Sequence, residues 1–117
     1  MIITPEMTHI GYEVCKDVFA GKLTRQEGKV KISNISGMRE GSAMAYVTVF
    51  IAMMEGKKYT RTLNTYSTKY FLENIRSDFG ELYYKNAISA VKQHIEYYNS
   101  LGHGNLVSIQ NVIDEIS

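Results

Sequence analysis

With 117 residues and 44% hydrophobic content, the chain has apolar mass for one hydrophobic core and too little for two. Thirteen Lys and Arg against twelve Asp and Glu leave a net charge of +1, so no whole-molecule field points to a nucleic acid or a membrane, and any basic surface has to be local. The single cysteine, Cys15, excludes an internal disulfide framework, the N-terminal MIITPEMTH lacks secretory-signal blocks, and no apolar run reaches the roughly 18 residues that cross a bilayer, so a cytoplasmic location is expected.

Thr4 as N-cap, Pro5 in the first turn and Glu6 beside the positive dipole end announce a first helix. Met7, Ile10, Val14 and Val18 share one of its faces, and Gly21 stops it. Thr24 to Glu27 fits a capping box, which opens a short second helix to about Ser33; its interior Gly28 costs about 1 kcal/mol relative to alanine and makes it depend on tertiary contacts. Asn34 to Gly37 reads as a turn. A third helix from about Arg39 to Glu55 carries Tyr46, Val47, Phe50, Ile51, Met53 and Met54, too many apolar residues for one narrow stripe, which places it at the centre of the fold.

After the basic connection Lys57 to Leu63, Asn64 or Thr65 caps a fourth helix with Leu72, Ile75 and Phe79 on one face and Gly80 as a left-handed stop. The fifth helix, Glu81 to Ser100, has the clearest period, with Tyr84, Ile88, Val91, Ile95 and Tyr98 in one stripe. Ser108 caps a last helix that turns Ile109, Val112, Ile113 and Ile116 inward. Thr60 to Leu63 and Leu106 to Ile109 contain β-formers but lack the length and alternation of strands. Residues 1–117 are thus expected to form a single all-α domain, a compact bundle of about six helices.

No catalytic or metal-binding motif is visible. His9, His94 and His103 stand far apart without ligand spacing, Cys15 lies one turn from Phe19 and reads as a small buried hydrophobe, and the glycines form no phosphate-cradling loop. No cofactor, metal or catalytic residue is expected, and the chain reads as a binding protein. Helices two and three could form a helix-turn-helix whose reader presents Arg39 and Ser42 to bases, although Glu40 beside Arg39 makes a poor base-reading set and an ordinary helical hairpin has the same spacing.

The segment Lys57-Lys58-Tyr59-Thr60-Arg61-Thr62-Leu63-Asn64-Thr65-Tyr66-Ser67-Thr68 interleaves cations, hydroxyls and tyrosine rings and contains a helix N-terminus, the components of a nucleotide or nucleic-acid site. A solvated loop followed by a capped helix would also be polar here. His94, beside the apolar stripe of the fifth helix, reads either as a satisfied core-edge histidine or as a ligand contact joined by Tyr97 or Tyr98.

Taken in order, Gly37-Met38, Gly41-Ser42-Ala43, Tyr46, Met54-Glu55-Gly56, Tyr59-Thr60-Arg61, Asn64, Thr68, Tyr70-Phe71-Leu72, Asp78-Phe79-Gly80, Ala87-Ile88 and His94 to Tyr98 resemble the helical domain of bacterial and phage proteins labelled HNH endonucleases. The metal-bound and water-activating histidines of such a nuclease are lacking, so the resemblance implies a recognition domain without the nuclease activity. It adds Arg61, Asn64, Thr68, His94 and Tyr97 as positions that could converge on a ligand.

Two functional readings follow. One is a non-catalytic nucleic-acid-binding module of a restriction or defence system, with Lys57, Lys58 and Arg61 on phosphate. The other is a small phage-type homo-oligomeric protein that sequesters a nucleotide-like signal or inhibits a host protein, with tyrosines such as Tyr83, Tyr84, Tyr97 and Tyr98 available to an interface.

Overall fold

A computed structural model describes residues 2–116, which form six helices and no strand: α1 (Pro5–Phe19), α2 (Arg25–Ser36), α3 (Glu40–Glu55), α4 (Thr65–Phe79), α5 (Glu81–Ser100) and α6 (Val107–Ile116). The all-α class and the helix order match the sequence reading. The chain divides into two units, Met1–Ile51 and Ala52–Ser117, with the boundary inside α3.

In the first unit, the Thr4 hydroxyl accepts the Met7 N–H at 3.2 Å and Pro5 occupies the first turn. The buried face of α1 comprises Thr8, Gly11, Tyr12, Val14, Cys15 and Val18, so it is rotated from the expected stripe, and Met7 and Ile10 are only half-buried. Tyr12 and Phe19 both meet the fully buried Phe50 edge-on, at centroid distances of 5.6 and 6.3 Å. Cys15 is completely buried, and the lack of solvation pushes its thiol pKa up.

The capping box at Thr24 and Glu27 is formed in both directions. α2 runs three residues beyond the expected Ser33 and stops at Gly37, whose left-handed backbone (φ 82°) donates its N–H to the Ser33 carbonyl. Asn34 and Ser36 are turn-formers by local preference, but here the Ser36 hydroxyl bonds back to the Ile32 carbonyl at 2.6 Å and the helix continues. Gly28 is buried where α2 packs on α1: a β-carbon there would lie 2.4 Å from Val18 Cγ2.

From Ala43 onward α3 is buried along most of its length, so that apart from Glu55 at its end its exposed residues are Glu40 and Gly41 in the first turn, which follow the exposed Arg39. Glu40 pairs there with Lys29 at 3.2 Å.

In the second unit, α3 ends in a Schellman arrangement: Gly56 (φ 69°) donates to the Met53 carbonyl and Lys57 to that of Ala52. Helices α4, α5 and α6 pack on one another around Phe71, Leu72, Ile75, Val91, Ile109 and Ile113. Gly80 joins α4 to α5, but at φ 92°, ψ −176° it is not the expected left-handed cap; it occupies extended backbone of positive φ that is open essentially to glycine alone. Nor is Ser108 a cap: α6 starts at Val107, Gln110 bonds back to the Leu106 carbonyl, and the Leu106 N–H is held by Asn99 Oδ1 at 3.3 Å.

Candidate nucleic-acid interface

The backbone between Gly56 and Thr65 has no regular structure, so its groups need partners from elsewhere. α5 supplies several. Asn86 Nδ2 donates to the Met54 carbonyl and Gln93 Nε2 to that of Gly56, each at 3.0 Å, which satisfies carbonyls that the end of α3 leaves open. At the next position, His94 Nδ1 donates to the Tyr59 carbonyl at 2.7 Å. That bond fixes the neutral tautomer, so Nε2 accepts from the Thr62 hydroxyl at 2.8 Å.

The His94 ring is 1% exposed and lies nearly parallel to the buried Tyr59 ring, with centroids 4.4 Å apart and planes 16° apart. Burial pulls the His94 pKa below the ordinary histidine range, against the smaller opposing pull of the Tyr59 carbonyl. With both ring nitrogens engaged inside the chain, His94 has no unused hydrogen-bonding atom for a ligand. Of the two readings left open by the sequence, it fits the satisfied core histidine, and its work is to pin the loop.

Tyr59 and Leu63 point inward, while Lys57, Lys58, Thr60, Arg61 and Thr62 remain at the surface. Lys57 lies 3.6 Å from Glu55 in an exposed pair that contributes little to stability. Lys58 extends over the Tyr97 ring, 5.1 Å from its centroid. Arg61 is exposed and has no ion-pair or hydrogen-bond partner among the described residues.

Asn64 and Thr68 belong to a different small constellation. The Asn64 side chain accepts the Ser67 N–H at 2.7 Å as the N-cap of α4, and the buried Thr68 hydroxyl donates to the Asn64 carbonyl at 3.0 Å. Changing Asn64 to Ala should lower stability by about 1 kcal/mol, the usual worth of such a cap. Thermal unfolding checks this, and an unchanged midpoint would mean that the cap bond is dispensable.

The residues expected to converge thus fall into three groups. Tyr59, His94, Tyr97 and Lys58 form one continuous stack, Asn64 and Thr68 form a helix cap, and Arg61 joins neither. Arg39 and Ser42 stand in the first unit, at the start of α3. Sequence reasoning named Thr62 only as one hydroxyl of the polar segment and not as the second partner of His94, and it did not assign to a site the α5 residues Gln93, Glu96 and Ser100, which with Lys58 and Tyr97 line a surface groove of about 340 Å3. The spacing of 93, 96, 97 and 100 was the available signal, since it sets these side chains on one face of α5.

Thr60 to Leu63 is irregular loop and Leu106 to Ile109 runs into α6, so neither forms a strand. No helix is long and apolar enough to cross a membrane, and no cluster of metal-ligating side chains occurs among the described residues. The chain matches no protein-family model, no curated protein sequence and no solved structure.

Proposed function

We propose that the chain is a non-catalytic nucleic-acid-binding module whose phosphate-contacting surface is the loop carrying Lys57, Lys58 and Arg61. The observation that carries this reading is the pinning of that loop by His94. A loop already ordered in the free protein presents its cations without the entropic cost of ordering them at binding, so three charges can act at a molecule of net charge +1. In the first unit, taken by itself, the exposed Arg39 just before α3 and the half-buried Ser42 in its first turn are read as base contacts, with α2 and α3 as the helix-turn-helix; burial of most of α3 beyond that turn restricts readout to it. The restriction or defence setting rests on the sequence resemblance alone.

A second reading, sequestration of a nucleotide-like ligand, is favoured by the groove beside Tyr97, whose volume falls at the lower end of small-ligand sites, about 300 Å3 and upward.

Changing Arg61 to Ala should weaken binding of duplexes of different sequence about equally and reduce the dependence of log affinity on log salt by roughly 1, the signature of one lost phosphate contact. Fluorescence anisotropy at several salt concentrations reads both. Unchanged affinity and slope would remove Arg61 from the interface.

A further inference from the structure

We infer that the groove on α5 is a nucleobase subsite in which Tyr97 is the stacking platform and Glu96 selects bases that carry an exocyclic amino group. The inference rests on the phosphate-binding reading of the neighbouring loop and deepens it by naming what the surface does beyond holding phosphate.

The platform is built from the core outward. Tyr59 and His94 stack in the interior, the Tyr97 ring follows at 6.3 Å from His94 and 29° from its plane, and the Lys58 ammonium covers Tyr97. Both nitrogens of His94 are held, so the ring beneath Tyr97 is fixed. Tyr97 is half-buried and Lys58 is exposed; an ammonium over a ring at such a solvent-accessible site is held weakly, whereas stacking of a base on an aromatic face is the stronger interaction in its usual range. A base can therefore take the place of Lys58 on Tyr97. The displaced lysine, still tethered beside the ring, is then free to meet the phosphate of the same nucleotide.

The edge of the groove decides which base. Gln93 spends its amide N–H groups on the Gly56 carbonyl and the Ser89 hydroxyl, which leaves its carbonyl oxygen without a hydrogen-bond donor among the described residues. The Ser100 hydroxyl donates to the Tyr97 carbonyl at 2.6 Å. Glu96 is exposed and contributes a carboxylate, which only accepts. The edge thus offers acceptors, which suit the amino groups of cytosine, adenine or guanine and leave the carbonyl edge of thymine or uracil unmatched. A base inside a duplex cannot stack on a side chain, so the occupant is either an unpaired stretch of nucleic acid or a free nucleotide.

The test measures binding of oligo-dC, oligo-dT, cytidine monophosphate and a duplex to the wild-type chain and to Tyr97→Ala, Tyr97→Phe and Glu96→Gln. Expected are tighter binding of oligo-dC than of oligo-dT, a loss of about 5- to 100-fold for oligo-dC in Tyr97→Ala, and retention in Tyr97→Phe. Glu96→Gln, a surface change that leaves the core untouched, should narrow the difference between dC and dT. Saturable binding of cytidine monophosphate with the same sensitivity to Tyr97→Ala supports the subsite with a free nucleotide as its occupant. Salt-sensitive binding that is indifferent to Tyr97→Ala and Glu96→Gln overturns the subsite and leaves the phosphate surface standing. Failure of every nucleic acid and nucleotide to bind overturns both.

Discussion

Replacing His94 by alanine is expected to cost about 3–5 kcal/mol of folding free energy, a large share of the stability of a domain this size. The change removes a ring that is 1% exposed, abolishes its contact with Tyr59 and leaves the Tyr59 carbonyl without its partner. His94→Phe separates these contributions. It keeps the ring volume and the stack while losing both hydrogen bonds, so it should be the less damaging variant, at about 2 kcal/mol. Urea unfolding of the two variants decides the matter: equal losses would mean that packing carries nothing, and a harmless His94→Phe would mean that the loop is not pinned by the histidine nitrogens.

The same residue gives stability a pH dependence of defined sign. Burial holds the folded-state pKa of His94 below the ordinary value of 6.5, so the unfolded chain takes up a proton at a pH where the folded chain does not. This contribution is fully present above about pH 6.5, declines as pH falls through the ordinary histidine range, and levels off below the folded-state pKa. His94→Phe should lose this part of the pH profile, and a profile that stays unchanged would contradict the assignment.

Gly28→Ala is expected to destabilise the chain by about 2 kcal/mol, although alanine is the better helix former. The new methyl would lie 2.4 Å from Val18 Cγ2, and valine, branched at Cβ, has little rotameric room to move aside. Gly41→Ala provides the contrast. It sits at the exposed start of α3 with nothing within 4 Å of a built β-carbon, so the same substitution should be neutral or stabilising by roughly 0.5 kcal/mol. Opposite signs in a thermal or urea scan would attribute the Gly28 effect to close packing of α1 and α2; a stabilising Gly28→Ala would show that α1 and α2 yield easily.

Much of this fold was legible because local signals agreed with tertiary needs. Thr4-Pro5, the Thr24 and Glu27 box and the Asn64 cap each act within a few residues, and each appears in the structure where the sequence placed it, whereas the buried face of α5 keeps Tyr84, Val91 and Ile95 of the expected stripe but takes in Ala87, Ala90 and His94 and leaves Ile88 and Tyr98 half-buried. The misreadings arose where a partner far along the chain decides. The α1 face turned toward Tyr12 and Cys15 because Phe50 lies there, and Gly28 is explained only by Val18 on another helix. At the candidate site, the basic loop was visible as composition, but its order was not: Tyr59 and Thr62 meet His94 across more than thirty residues, a separation that no local pattern encodes.

The most direct test of the central claim, that this loop meets phosphate, is the salt dependence of wild-type binding to a nucleic acid. Three cations in contact with phosphate should give a log affinity that falls with log salt at a slope of about −2 to −3. A slope near zero, or no binding at low salt, would contradict it.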